Sequence, residues 1–432
     1  MNHPPALTHE AILASAGSGK TYALVTRYLQ LLAQGEAPER IIALTFTRKA
    51  AGEFFDKILQ RLAEAADDDR ACAALGTAVG RPDLQRDEVV IWLRRMIDSL
   101  PQLTLGTLDS FFIRIVSAFA LEFGLGGPFT LLEGDDIARE REELCRAVFQ
   151  ALPPERQREQ DDFIEAFNLA TFGAEEKSLH RAFDAFIEEH HQAWLLDPVA
   201  DKWGRPAAVW PRLPWYFEAP AADPGPLVDR FTAALEGMKL TDQQRTKLLE
   251  VANSLAGHQS GTATAETFKY LQNNILPFLD DLRRGQATFK VQRMLTLEGA
   301  ACEALTALIG RMLAGEAAVV LQRTRGLAAL LCDYETHHEA EVRRQGRLTF
   351  DDVKFLLAHG GAGGDGLARL AVDARLDARF DHWLIDEFQD TSLLQWEVLR
   401  PLVEEALEDP EGARTYFQVG DEKQSIYRWR GG

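Results

Sequence analysis

Short apolar runs that end in glycine or acidic residues alternate with stretches of helical spacing at both ends of this chain. Residues 11–14 form one such run and lead into a cluster of glycines, the pattern of a buried parallel strand. Residues 21–32 then carry apolar side chains at helical spacing and stop near Gly35. A second buried strand is predicted over 41–46 and a helix over 48–65. Strand, helix, strand, helix in this order indicates a parallel α/β sheet. Residues 105–123 begin like a strand and continue as a long apolar helix, broken at 124–128.

The middle of the chain reads differently. Residues 129–345 are mostly helical, with an interruption over 194–226 that is rich in proline and holds four of the eight tryptophans: Trp194, Trp203, Trp210 and Trp215. That interruption is either an irregular segment pinned to a helical domain by aromatic anchors or a patch that docks a partner. After Thr349-Phe350-Asp351-Asp352 and a glycine-rich break at 360–366 the α/β pattern returns. Residues 380–385 and 415–419 are two more apolar strands, each ending in acidic residues. The expected fold is therefore an α/β domain with a parallel sheet, split by a large, mainly helical insertion. The expected boundaries are 1–128 and 346–432 for the split domain and 129–345 for the insertion.

A chain of 432 residues is too long for one compact core, which agrees with that division. Its composition, 46% hydrophobic and 26% charged, is that of an ordinary globular protein. Cys72, Cys145, Cys302 and Cys332 are scattered, which argues against disulfide, zinc and iron–sulfur frameworks and predicts buried thiols. No apolar run approaches the roughly 18 residues of a membrane span, and residues 1–10 lack the features of a secretory signal. A cytoplasmic location without membrane association is expected. The net charge of -19 is the wrong sign for a protein that coats nucleic acid. Binding follows the local field, however, and residues 414–432 carry four basic against two acidic side chains.

Three polar clusters follow the predicted strands. Ala14-Ser15-Ala16-Gly17-Ser18-Gly19-Lys20-Thr21 is a strand–loop–helix passage of the phosphate-loop kind, with Ala14 where the strict pattern has glycine. Its backbone N–H groups and the helix N-terminus would face phosphate, Lys20 would reach the β- and γ-phosphates, and the Thr21 hydroxyl would ligate Mg²⁺. Asp386 and Glu387 sit at the end of a predicted strand, where one carboxylate can hold Mg²⁺ and the other can polarise an attacking water. Gln424 is neutral, with both donor and acceptors, and can sense a γ-phosphate without competing for the metal. Tyr427 and Trp429 alternate with Arg428 and Arg430, so stacking faces lie beside phosphate-binding groups.

Taken in order, these clusters resemble motifs I, Ia, II and III of superfamily 1 helicases of the UvrD/Rep type. Motif Ia corresponds to Thr45-Phe46-Thr47-Arg48-Lys49-Ala50-Ala51, and Gly106-Thr107-Leu108-Asp109-Ser110-Phe111-Phe112 resembles the motif that follows it. Phe129-Thr130-Leu131-Leu132 and Leu348-Thr349-Phe350-Asp351-Asp352 resemble family landmarks around the insertion. Residues 14–20 and the long insertion lean towards the RecB/AddA branch. The resemblance implies a RecA-like P-loop domain, 1A, interrupted by a helical domain, 1B. It implies ATP and Mg²⁺, single- or double-stranded DNA as a partner, and 3′ to 5′ movement in recombinational repair. A nuclease or second helicase subunit is a further partner it suggests. By motif position Asp386 would hold Mg²⁺, Glu387 would be the general base and Gln424 would couple the γ-phosphate to DNA. Phe46, Thr47, Tyr427 and Trp429 would contact DNA, and Arg430 would bridge the ATP and DNA sites.

Three departures from the family pattern stand out. Residues 1–12 hold no convincing adenine-reading glutamine, and Asp109 stands where the family usually has histidine. The motifs run only to III, so the chain is expected to be the N-terminal half of a motor, weakly active or inactive alone. A nucleotide- and DNA-binding scaffold without turnover is the alternative, and a phosphate-loop kinase a more distant one.

Overall fold

The structure, a computed structural model, describes residues 7–13, 19–150, 179–210, 212–217, 223–261, 266–360, 372–376 and 379–421. Its strands are β1 (Glu10–Leu13), β2 (Ile41–Thr45), β3 (Thr104–Thr107), β4 (Thr130–Leu131), β5 (Gln286–Val291), β6 (Arg293–Glu298), β7 (Arg347–Leu348), β8 (His382–Ile385) and β9 (Thr415–Gly420). Five of them form a wholly parallel sheet in the order β1-β9-β8-β2-β3. The first strand begins and ends one residue earlier than its apolar run suggested, and β2 stops before Phe46.

Alternate residues of these strands serve opposite faces. Ile41, Ala43, Leu384, Phe417 and Val419 pack against one group of helices, α1 (Lys20–Gln34), α2 (Arg48–Asp67), α3 (Asp69–Ala78) and α4 (Arg86–Asp98). Ile42, Leu44, Trp383, Ile385 and Tyr416 pack against the other, α5 (Leu108–Ala118) with the helices Phe350–His359 and Leu393–Leu407. Because both of their faces are covered, the central strands β2, β8 and β9 read as largely apolar runs rather than alternating ones. On the α5 face Trp383 meets Phe111 and Phe380 edge-on, with ring centroids 6.0 Å away in each case. Each fully buried side chain of this size contributes about 1.5–3 kcal/mol through its loss of water contact.

Caps set where the helices start. Thr47, Thr107 and Ser392 each accept a hydrogen bond from the backbone N–H three residues on, and each is worth about 1 kcal/mol. Gly35 closes α1 in the left-handed conformation, φ 97°, at the stop expected from sequence.

The backbone contacts divide the chain into two compact units. One contains Met1–Phe149, Phe183–Asp197 and Tyr334–Gly432, and so includes the sheet. In it, β4 and β7 form a two-residue parallel ladder, Thr130 beside Arg347 and Leu131 beside Leu348. Just beyond β7 lies a buried ionic cluster. The fully buried Asp352 accepts from Arg343 Nε at 2.9 Å, while its other oxygen accepts from the N–H and hydroxyl of Thr349, both at 2.8 Å. His338 Nε2 lies 2.8 Å from the same carboxylate. Burial alone would raise the Asp352 pKa, but His338 and Arg343 outweigh it and hold the carboxyl well below its ordinary range.

The second unit contains Gln150–Ala182 and Pro198–Asp333. It is mainly helical, as expected, but also holds the β5–β6 hairpin, which the helical reading of this region does not predict. Ala287, Phe289 and Val291 point inward from that hairpin and join Leu248, Val251 and Leu305 in one core. The helix Ala300–Glu341 begins in this unit and contributes Leu305, Leu308, Ile309 and Met312 to the core. Among the described residues one helical stretch, 300–345, contains an 18-residue window with a mean hydropathy of 1.6, long and apolar enough to cross a membrane by length and composition alone. Trp215 of the tryptophan-rich segment lies against Gly310 of this helix, where a Cβ would come within 2.7 Å of the indole. Arg283 stacks 5.0 Å from the same ring. These contacts favour the pinned-segment reading for Trp215.

Cys72, Cys145 and Cys302 are buried, but Cys332 is exposed, which corrects the expectation of four buried thiols. Cys332 follows the buried Leu330 and Leu331 on the outward face of its helix.

Candidate functional site

Parallel pairing sends every strand of the sheet out at one edge. Leu13 pairs with Gly420, Ile385 with Gln418, Leu44 with Ile385, and Thr45 with Thr107. The residues that follow, Asp421, Asp386, Phe46 and Leu108, therefore share the carboxyl edge, where open α/β sheets bind ligands. Helix α1 also starts at this edge. Gly19 is its N-cap at φ 88°, and no side-chain cap or first-turn acid neutralises its free N–H groups. Such a terminus attracts anions. Lys20 and Thr21 are the first two residues of the helix. Ala14, Ser15, Ala16, Gly17 and Ser18 lie outside the described residues, as do Gln424, Tyr427, Trp429 and Arg430.

Lys20 and Glu387 meet although 367 positions separate them: Nζ donates to Oε2 at 2.7 Å. The lysine side chain is only 9% exposed and the glutamate 33%. Glu387 adopts φ 50° and ψ 46°, a left-handed conformation that costs a non-glycine residue about 1 kcal/mol or more. The chain turns sharply there, so that Asp386 faces inward while Glu387 faces Lys20. Asp386 stays in register with the sheet, its N–H donating to the Leu44 carbonyl at 2.9 Å. Its carboxylate accepts from the Glu387 N–H at 3.0 Å. Burial, and then the neighbouring charge of Glu387, push the Asp386 pKa up to about 6, against the opposing pull of Lys20 and Lys57. Burial likewise raises Asp390.

This donor set suits a magnesium–phosphate complex. Mg²⁺ takes oxygen ligands and commonly uses one or two carboxylates together with phosphate and water. Burial and Glu387 outweigh Lys20 and Lys57 at the Asp386 carboxylate, so a divalent cation would favour its charged form, and the Thr21 hydroxyl lies in the helix turn that Lys20 begins. Among the described residues no group of three or more His, Cys, Asp or Glu could hold a metal by itself.

Several residues with no role assigned from sequence prove central. Gln389 donates from Nε2 to Glu387 Oε2 at 2.6 Å and accepts the Asp421 N–H on Oε1 at 2.9 Å, so one side chain ties the two acidic strand ends together. Gly420 lies so close that a Cβ there would come within 2.9 Å of Gln389 Oε1. The signal for Gln389 was a lone neutral amide within an acidic cluster; Gly420 carried none beyond being a glycine at a strand end. Beside Thr21, Tyr22 is 60% exposed, with the Arg61 guanidinium 4.7 Å from its ring centroid. An exposed aromatic in the first turn of α1 offers a stacking surface of the kind a nucleobase uses.

Phe46 and Thr47 lie in the turn after β2. The Thr47 hydroxyl accepts the Ala50 N–H at 3.1 Å and so serves as the cap of α2. Phe46 lines a neighbouring cleft of about 400 Å³ with Arg48, Asp109, Ser110, Glu133 and Phe350. Asp109 is tied to the helix that follows the acidic turn, accepting from Gln395 Nε2 at 3.0 Å.

The family described as UvrD/REP helicase N-terminal domain matches residues 4–432. Among curated relatives, an ATP-dependent helicase/nuclease subunit of Moorella thermoacetica is 26% identical, over 97% of this chain and 30% of its own length. The proteins of the same name from Lactiplantibacillus plantarum and Geobacillus thermodenitrificans are 25% and 24% identical, each over 97% of this chain and 34% of their own length. The chain thus spans about a third of the length of the curated relatives it matches.

Proposed function

Because the chain belongs to the UvrD/REP helicase N-terminal domain family, we propose that it is the ATP-binding half of a DNA helicase–translocase. The observation that carries this reading is the Lys20–Glu387 contact beside Asp386, at the sheet edge where α1 presents its N-terminus. On this reading residues 1–128 and 346–432 are the motor domain 1A and residues 129–345 the inserted domain 1B. Residues 14–19 wrap phosphate with backbone N–H groups, and Lys20 faces the β- and γ-phosphates. Thr21 and Asp386 hold Mg²⁺, which when bound offsets phosphate charge and makes phosphorus easier to attack. Glu387 accepts the proton of the attacking water on a carboxylate oxygen. Gln424 would link the γ-phosphate to the DNA side, and Arg430 would bridge the ATP and DNA sites. Phe46, Thr47, Tyr427 and Trp429 take single-stranded DNA. Tyr22 and Arg61 offer the base a stacking face.

The names of the relatives support a role in which helicase and nuclease activities cooperate, so a nuclease domain or partner protein belongs to this proposal. Movement 3′ to 5′ in recombinational repair in the cytoplasm completes it. In this reading a second motor domain supplies the remaining groups of the ATP site.

The test is binding of a labelled oligo-dT and of a non-hydrolysable ATP analogue with Mg²⁺, at stated salt. The wild type should bind the analogue, and Lys20→Ala should lose that binding while retaining its fold. Equal affinity in the two proteins would remove Lys20 from the site. Absence of both ligands from the wild type would overturn the motor reading itself.

A further inference from the structure

Asp109 stands in the first turn of α5 and lines the cleft at the ends of β2 and β3, and its carboxylate is held by Gln395. Gln395 is buried, and both ends of its amide are committed. Nε2 donates to Asp109 Oδ1 at 3.0 Å, while Oε1 accepts the Ser392 N–H at 2.9 Å. A flipped amide would set oxygen against carboxylate and NH₂ against N–H, so the orientation is determined. Ser392 in turn accepts the Gln395 N–H at 3.2 Å and closes the turn that begins at Asp386. Within that turn the Asp390 N–H donates to the Glu387 carbonyl at 2.9 Å and the Thr391 N–H to that of Phe388 at 3.0 Å. The Phe388 ring meets Trp396 edge-on at 5.4 Å, one residue beyond Gln395. Acidic turn, cap and first helical turn are therefore one tightly bonded piece, and Asp109 is where that piece reaches the cleft.

We propose that the Gln395–Asp109 hydrogen bond links nucleotide occupancy at Lys20 and Glu387 to the affinity of the cleft for single-stranded DNA. Gln395 acts as a positioning residue and Asp109 as the group it controls. The inference rests on the functional reading above and deepens it. Glu387 Oε2 is shared between Lys20 and Gln389, so a phosphate that engages the ammonium competes for one of its partners. The resulting change in the turn passes through Ser392 to the doubly held amide. At the cleft the outcome is electrostatic. A carboxylate bonded to an amide donor is partly screened, whereas one released from it repels DNA phosphate more strongly. A ligand shifts such an equilibrium only through its differential interaction with the two arrangements, and competition for Lys20 provides one.

The experiment uses the whole chain, a labelled oligo-dT, and AMP-PNP with Mg²⁺. In the wild type the analogue should change the DNA Kd by about fivefold or more, the lower end of ordinary coupling. Gln395→Leu and Asp109→Ala should each bring that ratio within about twofold of one, and the double variant should add little to either single change. Asp109→Asn keeps an oxygen acceptor for Gln395 but removes the charge, so it should lose the coupling as alanine does, whereas a role limited to holding Gln395 in place would leave the wild-type ratio unchanged. Asp109→Ala leaves the Ser392 cap intact, so it guards against a folding defect in Gln395→Leu. AMP-PNP affinity without DNA separates lost coupling from a lost nucleotide site. Variants that keep the wild-type ratio, or whose effects simply add, overturn the inference. A wild type that binds both ligands without mutual effect overturns it too, but leaves the functional reading standing. A wild type that binds neither overturns both.

Discussion

Asp386→Asn should make the metal-free protein more stable at neutral pH. The wild-type carboxyl is buried beside Glu387, and its pKa rises from 3.8 to about 6. A carboxyl whose pKa is higher in the folded state binds protons more tightly there, so folding loses stability as pH rises between those two values. At about 1.4 kcal/mol per pH unit, ionised Asp386 costs roughly 3 kcal/mol at pH 7 and above. Asparagine is nearly isosteric and still accepts the Glu387 N–H, so it removes the charge without removing that bond. The gain over wild type should thus be about 3 kcal/mol at pH 8, roughly half of that at pH 5 and under about 1 kcal/mol at pH 4. Urea unfolding in EDTA at these three pH values, followed through the sheet unit, reads the difference, because titrations away from Asp386 and its neighbour Glu387 are common to both proteins. A gain absent at pH 8, or undiminished at pH 4, would refute burial of the charge as its source. Mg²⁺ should narrow the gap by stabilising the wild type alone.

Two further substitutions probe the packing around this site. Gly420→Ala places a methyl group 2.9 Å from Gln389 Oε1, and the displacement should cost about 1–3 kcal/mol through overpacking and the lost Asp421 N–H bond. Adding Gln389→Ala should recover part of that loss, and strictly additive thermal shifts would show that the two positions do not clash. Asp352→Ala leaves the buried Arg343 without one of its carboxylates and should cost about 3–5 kcal/mol in denaturant unfolding at pH 7. Since the Asp352 pKa is depressed in the fold, the wild-type advantage is present above the ordinary aspartate range and lost as pH falls below it. An advantage independent of pH would assign the loss to packing instead.

The strands of the sheet were largely legible in the chain. The runs at 41–46, 380–385 and 415–419 read as largely apolar strands because helices cover both faces of the sheet there. Thr47, Thr107 and Ser392 stand directly before helical spacing, where a hydroxyl satisfies a free N–H. The hairpin at 286–298 is hard to read because its alternation is brief and sits among helices. Local periodicity and turn chemistry depend on neighbours within a few residues, so these features are written in the sequence itself. Which strands lie side by side is a different matter. Pairing β1 with β9 depends on how apolar faces are shared across the whole unit, and that choice brings the two ends of the chain together. From the full strand order follow the contact of Lys20 with Glu387, the raised pKa of Asp386, the close approach of Gly420 to Gln389 and the tie between Gln395 and Asp109. Each arises from burial or from proximity across tens to hundreds of residues, which only the tertiary fold creates.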